Sequence, residues 1–482
     1  MNVIAENKQA LPQTGNGKWL ALAALMVAQF MVVIDIVGLN VALPSIQRSL
    51  HFSNSSLEWV MSAYQIAFGG CLLLGGRIAD LFGRKRMFLI GAAAFATTSL
   101  LCGLAPTALS LILFRVIQGL AAAILSPTSL SSVTRMFPEG RERNIALGIW
   151  GAVFGAGGAI GSLLSGLITT TLGWQWFFFL NLPLGFFALL IGPKLLPADP
   201  IAEKRQGFDI AGAATVSLGS GLLLYALSTA SGSGWNWNVF LLLAAALILW
   251  VSFILIQRNA SFPLVPKAVI RIATMQVGVV IGILAGSYHF SMFFLLTLYM
   301  QDVLHLSAIQ TSLGYLAAAL PTIVCANLSS RFIRRFGVKS VLVAGQLLVM
   351  LSLFYLSRMH VDGTYMYDLF PALLVGGIGW GLLFPSINIM SFSRVEKSQT
   401  GSAAGIITMS EQLGGAIGLT LAATVAASRA ADYARTHSGF AIHTPEAMTA
   451  GFSGTFQLTA ALALLGFLLS ILLIPSRREE QK

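Results

Sequence analysis

Runs of about twenty residues, apolar on every face, recur along the chain and are parted by short polar stretches rich in Arg and Lys. A helix needs about 20 mostly apolar residues to cross the hydrocarbon core of a bilayer. A segment in lipid must also satisfy its own backbone hydrogen bonds, which a helix does. The runs predict fourteen crossings. These are Trp19–Leu39, Trp59–Ala79, Met87–Ala105, Leu109–Leu125, Ala146–Leu172, Trp176–Leu195, Ile210–Thr229, Val239–Leu255, Met275–Tyr299, Ser312–Leu328, Ser340–Leu356, Leu369–Ile389, Gly401–Ala427 and Phe452–Leu473. The first follows a polar tail and lacks a small-residue cleavage site, so it reads as a retained helix.

Composition agrees: 56% of the residues are hydrophobic and only 10% charged, against roughly 25% charged in a soluble domain. The net charge of +11 would suggest a nucleic-acid partner in a soluble protein, but here placement matters more. Of 29 Lys and Arg, only Arg48, Arg358, Arg429 and Arg435 fall in outer loops, and Arg115 alone lies inside a span. All others face one side, which the positive-inside rule makes the cytoplasm. Both termini are then cytoplasmic. Cys71, Cys102 and Cys325 all sit in apolar runs, which argues against a disulfide framework.

The loop after the second span, Gly76-Arg-Ile-Ala-Asp80-Leu-Phe-Gly83-Arg84-Lys85-Arg86, is echoed after the tenth by Ser330-Arg-Phe-Ile-Arg334-Arg-Phe-Gly337-Val-Lys339, 254 residues on. The pentapeptide Gly-Gly-Ala-Ile-Gly occurs at Gly157–Gly161 and again at Gly414–Gly418. Two echoes at nearly one spacing predict a duplicated six-helix unit. The division is a cytoplasmic tail (1–18), a first bundle (19–197), a linker carrying two inserted helices (198–271), a second bundle (272–475) and a cytoplasmic tail (476–482). Duplicated halves with a midplane site between them suit a transporter that rocks about that site.

Gly76 to Arg86 resembles the signature loop of the major facilitator superfamily. Leu111-x3-Arg115-x2-Gln118-Gly119 resembles its proton-antiporter motif on the fourth helix. Asp35-x4-Asn40-Val-Ala-Leu-Pro44, with Trp174-Gln-Trp176 and Asn181-Leu-Pro183, is similar to the fourteen-helix drug:proton antiporters of the EmrB/QacA type. The resemblance implies an all-α integral membrane protein of the major facilitator fold, with two pseudo-symmetric six-helix bundles and two linker helices. Four positions depart from the pattern. The fifth-helix motif has Gly157-Gly158 and Gly161-Ser162 where Pro follows Gly. Val37 replaces Thr, Gln175 replaces Arg between the tryptophans, and Glu411 replaces Arg before the thirteenth-helix Gln-Leu-Gly.

Four ionisable residues inside spans are candidates for proton coupling, because such groups are expensive in lipid and usually functional. Asp35 either takes and releases protons or stands as a fixed partner for Arg115. By resemblance Arg115 neighbours the first helix, as a coupling switch or an architectural ion pair. Glu411 suits a second protonation site, a counter-charge for a cationic substrate, or a packing role. His289 lies 254 residues after Asp35, and histidine titrates near neutral pH.

The resemblance assigns Gly76, Asp80, Gly83 and Arg84 to a cytoplasmic gate, with Asp80 meeting the positive end of the helix that begins near Gly401. Asn40, Tyr64, Gln118, Tyr288, Met292 and Trp380 are candidates to line a substrate cavity, or else pack between helices. Gly157, Gly158, Gly161, Gly414, Gly415 and Gly418 read as a hinge surface between the halves, since small residues let helices approach closely. The chain has no phosphate-binding loop in a strand–helix context, so nucleotide binding and ATP-driven pumping are not expected. His360, His437 and His443 are dispersed, and no metal site is expected.

The sequence thus predicts a proton-coupled exporter of lipophilic, often cationic drugs, antiseptics or dyes, in a bacterial cell membrane. It would be no enzyme, use no cofactor but protons, bind no nucleic acid and act as a monomer. An exporter of one endogenous metabolite is the alternative.

Overall fold

The computed structural model describes residues 16–52, 59–138, 140–197, 209–260, 263–396, 399–437 and 444–474. The N-tail before residue 16, the linker stretch 198–208 and the C-tail from 475 lie outside them. The described residues are helical almost throughout and contain no strand. Among the described residues fourteen long helices succeed one another, with shorter helical turns between some of them. They are α1 (Asn16–Leu50), α2 (Trp59–Phe82), α3 (Arg84–Gly103), α4 (Ala108–Met136), α5 (Arg141–Thr171), α6 (Gln175–Leu195, broken after Phe179) and α7 (Ile210–Ser233). Then come α8 (Trp237–Asn259), α9 (Ala273–Leu298), α10 (Leu316–Phe336), α11 (Val338–Leu356), α12 (Phe370–Ser391), α13 (Thr400–Thr436) and α14 (Pro445–Leu473). Among the described residues thirteen stretches are long and apolar enough to cross a membrane, and α5 contributes the shorter apolar stretch Ile160–Thr171.

Several helices outrun the spans predicted from hydropathy. α1 continues from Leu39 to Leu50, α13 from Ala427 to Thr436, and α14 begins at Pro445 instead of Phe452. Hydropathy reports where lipid ends, whereas a helix ends where its terminal backbone groups find other partners. Thr444 caps α14, Asp209 caps α7, Asn236 caps α8, and Thr107 with Ser110 forms a reciprocal capping box at α4.

α1–α6 and α9–α14 form two halves that meet along two seams. α2 packs on α13, and α5 packs on α10 and α12. Since α10 repeats α2 and α13 repeats α5, these seams are one contact used twice. Glycines let backbones touch there. A methyl on Gly148 would lie 2.7 Å from the Ala326 carbonyl, and one on Gly405 would lie 3.0 Å from that of Leu72. The inserted α7 lies against both α2 and α13, while α8 packs on α7 and turns Leu241, Ile248 and Leu255 outward.

The predicted hinge glycines sit elsewhere. Gly157 and Gly161 pack on Val33 and Ile34 of α1, and Gly414, Gly415 and Gly418 on Ile283, Phe290 and Ser287 of α9. Gly158 is half-buried, and its carbonyl accepts a hydrogen bond from Ser162. The repeated pentapeptide therefore binds each half's fifth helix to its own first helix. The pattern of small residues signals a close approach but does not say to which neighbour. Between the halves the glycines in contact include Gly76, Gly148, Gly151, Gly401 and Gly405.

The duplication extends to backbone conformation. Gly83 and Gly337 both turn the chain with positive φ (96° and 84°). Among the described residues His51 and His305, also 254 positions apart, are the non-glycine residues with positive φ, 53° and 52°. Each follows the first helix of its half, in a Leu-His-x-Ser sequence. The left-handed conformation costs an L-residue about 1–2 kcal/mol, and a β-branched side chain tolerates it least. His305→Val should therefore lower the thermal midpoint in detergent by several degrees, whereas His305→Gly should hold or raise it. Equal midpoints for the two variants would refute this account of the turn.

Candidate functional site

Asp35 of α1 and Arg115 of α4 are both fully buried and form an ion pair. Arg115 also donates through Nε to the Val60 carbonyl (2.9 Å) and through its guanidinium to Gln118 Oε1 (2.7 Å), and it lies 4.2 Å above the Tyr64 ring. Gln118 sits three residues along α4, on the same helix face. Its amide donates to Asp35 and to Ser99 Oγ, each at 3.2 Å. Ser99 also accepts from Asn181 (2.9 Å) and donates to the Phe178 carbonyl (3.0 Å). Five helices, α1, α2, α3, α4 and α6, thus converge on one carboxylate. Ser99 had not been singled out from the sequence, because a lone serine in an apolar helix carries no distinguishing signal. Asn181 entered only as part of a family motif.

An ion pair in low dielectric is held by mutual attraction, and removing one partner leaves an uncompensated charge costing about 3–5 kcal/mol. Arg115→Gln alone should therefore lower the thermal midpoint strongly, and Asp35→Asn should recover much of that loss when combined with it. Additive losses in the double variant would show that the two charges do not act on each other.

The C-terminal half does not repeat this network. At the equivalent positions Leu369 replaces Arg115 and Ala372 replaces Gln118. His289, the counterpart of Asp35, lies buried among Trp380, Phe293, Phe384 and Phe290, with ring centroids 4.6, 5.0, 5.2 and 5.7 Å away. Tyr288 donates to Gln346 at 2.6 Å. Tyr288, Met292 and Trp380 belong to the core of this half, and Tyr64 and Gln118 to the Asp35 network. None of the five is more than 1% exposed, so in this conformation they pack within their own half and do not line a cavity. The Asn40 side chain lies outside the described residues.

Glu411 is buried on α13, where that helix crosses α9 at Gly282 and Gly286. A methyl on Gly282 would stand 3.8 Å from Glu411 Cγ. Among the described residues no cation or hydrogen-bond donor reaches its carboxylate. It is therefore a buried acid of a different kind from Asp35.

At the cytoplasmic end, Asp80 closes the α2–α13 seam. Its carboxylate accepts from the backbone N–H groups of Gly401 (3.0 Å) and Ser402 (2.8 Å) and from the Ser402 hydroxyl (2.9 Å). These are first-turn donors of α13, where the helix dipole favours an anion. Arg84 donates to the same carboxylate at 2.6 Å. Gly76 gives α13 room, since a methyl there would collide with the Gly401 carbonyl, and Gly83 makes the turn into α3. A second tie, unforeseen in the sequence, crosses the other seam: Arg143 of α5 donates to the Phe392 carbonyl at the end of α12 (3.1 Å). There a cation meets the negative end of a helix dipole. Both ties join the two halves at the cytoplasmic end.

The sequence profile of the Major Facilitator Superfamily matches residues 25–419. The chain belongs to that superfamily. It is a multi-pass membrane transporter and not an enzyme. Among its relatives, the puromycin resistance protein of Streptomyces alboniger is 34% identical over 96% of this chain and 92% of its own. The cephamycin export protein of Amycolatopsis lactamdurans is 36% identical, covering 85% of each. The human organic anion transporter MFSD10 shares the fold, with a TM-score of 0.69 at 16% identity over 95% of this chain and 100% of its own. The proton:xylose symporter XylE shares it at a TM-score of 0.65 and 13% identity, over 95% and 96%.

If Asp80 latches this transporter, exchanging its charge for a neutral amide should weaken the closed form. The charge-assisted bonds are worth about 1.5–3 kcal/mol each, so Asp80→Asn should reduce the cytoplasm-closed population at least tenfold. A cysteine placed at Ala404, in a background lacking the three native cysteines, should then react faster with maleimide from the cytoplasmic side. Unchanged labelling would remove Asp80 from the latch.

Proposed function

We propose that this transporter exports lipophilic, often cationic antibiotics or drugs in exchange for protons across a bacterial cell membrane. The observation that carries the reading is the presence of two buried carboxyl groups at membrane depth in unlike settings. Asp35 is matched by Arg115 and held by Gln118, whereas Glu411 faces α9 with no cation beside it among the described residues. A carboxyl group can exist in lipid as a neutral acid or beside a cation, and switching between the two is a way to couple proton uptake to substrate release. On this reading Arg115 releases Asp35 for protonation as the helices part. Glu411, on the seam helix α13, is then available to a proton or to the positive group of a substrate. Relatives named for puromycin resistance and for cephamycin export support antibiotics as the substrate class.

A second reading has its own support. Relatives named for tetracenomycin C export in Streptomyces glaucescens and as a probable actinorhodin transporter in Streptomyces coelicolor are each tied to one compound. The protein would then serve one endogenous metabolite, and drug transport would be incidental.

Substrate-induced proton movement in everted vesicles separates these readings, using wild type, Asp35→Asn and Glu411→Gln against a panel of cationic dyes, antiseptics and antibiotics. Multidrug antiport requires wild type to move protons with several unrelated compounds and Asp35→Asn to lose at least tenfold of that signal. A response to a single compound supports the dedicated exporter. Silence to the whole panel overturns the drug reading. Normal coupling in Asp35→Asn with loss in Glu411→Gln moves the proton carrier to α13.

A further inference from the structure

The two inserted helices have no counterpart in the duplication, so neither bundle needs them in order to form. α7 nonetheless touches both halves. Along α2 it packs backbone to backbone, as helices do within one bundle. A methyl on Gly70 of α2 would lie 3.0 Å from the Ser217 carbonyl and 3.2 Å from the Gly221 nitrogen of α7. Farther out, the Ser62 and Ser228 hydroxyls share a hydrogen bond of 2.9 Å, and the rings of Trp59 and Tyr225 stand 5.4 Å apart. Contact over this length makes α7 a fixed part of the N-terminal half.

Its hold on the C-terminal half is of another kind, made toward the outer end by single hydrogen bonds. The indole N–H of Trp235 donates to the Thr424 hydroxyl of α13 at 3.0 Å. Thr424 gives its own proton to the Thr420 carbonyl (2.8 Å), which leaves its oxygen to accept. One turn earlier on the same face of α13, Thr420 donates to the Leu227 carbonyl of α7 at 3.2 Å, sharing its proton with the Ala416 carbonyl at 2.9 Å. The chain around Trp235 is built to present it. Gly234 turns the end of α7 with φ 77°, Asn236 caps α8, and the Phe240 ring of α8 lies 5.9 Å from the indole.

We propose that α7 is an outer strap, a part of the N-terminal half that clasps α13 through Trp235 and Thr420 and must release it whenever the transporter opens to the outside. Near the cytoplasm α2 meets α13 directly, at Gly76 with Gly401 and at Leu72 with Gly405. Near the outer surface α7 adds its own crossing from one half to the other. When the two halves rock about a midplane site, α13 parts from whatever belongs to the opposite half, and α7 belongs there. Neutral hydrogen bonds suit such a clasp. Each contributes roughly two- to tenfold to an equilibrium, enough to bias a population and weak enough to break in every cycle. The inference rests on the rocking of the halves, and not on which substrate is carried or whether protons drive it.

The test uses the full-length protein in right-side-out vesicles, with Cys71, Cys102 and Cys325 replaced and Ile160→Cys as reporter. Ile160 of α5 is half-buried against the core of the C-terminal half. It is not on α2, α7 or α13, so its labelling by an impermeant methanethiosulfonate added outside reads separation of the halves and not local loss of α7. Trp235→Phe with Thr420→Val removes both donors and should speed labelling at least about fivefold. Thr420→Ser alone keeps the hydroxyl and should change the rate less than about twofold. Ser62→Ala with Ser228→Ala cuts the bond between α7 and α2, inside one moving unit, and should also stay below about twofold. Unchanged labelling in Trp235→Phe/Thr420→Val would overturn the strap. Equal acceleration in the two pairs would overturn it as well, because α7 would then be a packing helix that steadies both neighbours alike. Matching thermal midpoints for the two pairs exclude a general loosening as the source of any difference between them.

Discussion

A charge carried into a bilayer must be matched where it sits, and the N-terminal half of this transporter is organised around that requirement. Asp35 alone would be intolerable at its depth, and so would Arg115. Together they still leave lone pairs and N–H groups to satisfy, which is why Gln118, Ser99, Asn181 and two backbone carbonyls complete the cluster. Each added partner fixes another helix, so the polar cluster also sets how α1, α2, α3, α4 and α6 sit relative to one another. The residues proposed to couple protons are also the ones that pack these helices together. Buried networks of this kind are sensitive to partial loss, because a half-satisfied cluster is worse than an apolar one.

The C-terminal half solves the same packing problem without charge. Where the first half has a guanidinium over a tyrosine, the second has His289 among aromatic rings and a Tyr288–Gln346 hydrogen bond. Its single buried acid, Glu411, is displaced onto the helix that forms the seam with α2. The two halves therefore share a backbone plan and differ in chemistry. On the proposed antiport reading, the shared plan would carry the rocking motion and the chemical difference would distinguish proton from substrate.

Much of the architecture was legible in the sequence because lipid imposes one rule on every crossing: apolar side chains and a self-satisfied helix. That rule gave the fourteen helices and, with the placement of Lys and Arg, their orientation. It failed at helix ends such as Leu50 and Thr436, which caps and tertiary contacts decide outside the lipid. It failed for the Gly-Gly-Ala-Ile-Gly repeat too, since spacing shows which face approaches closely but not which helix comes to meet it. Tyr288, Met292 and Trp380 were left between cavity and core for a related reason, since an aromatic or sulfur side chain at midplane suits either, and in this conformation they pack in the core. The recurrence of Leu-His-x-Ser after both first helices was readable and marked the two left-handed histidines. Arg143 was not, because a basic residue at the cytoplasmic end of a helix ordinarily reports only topology.

The duplication can be used as an internal comparison where a single chain offers none. Features present in both halves, such as the Gly83 and Gly337 turns, the positive-φ histidines and the glycine contact between first and fifth helices, are what the fold requires. Features present in one half only are not needed to build a six-helix bundle, since the other half is built without them. By that criterion Asp35 with Arg115 and Gln118, the Asp80 cap on α13 with Arg84, and Glu411 all stand apart from the scaffold. Arg334 occupies the place of Asp80 and is exposed, so the Asp80 cap is one-sided too. The functional argument therefore rests on the asymmetric residues. Each of them is a charged or strongly polar group that the symmetric half replaces with Leu, Ala, Val or an aromatic ring, or leaves in water.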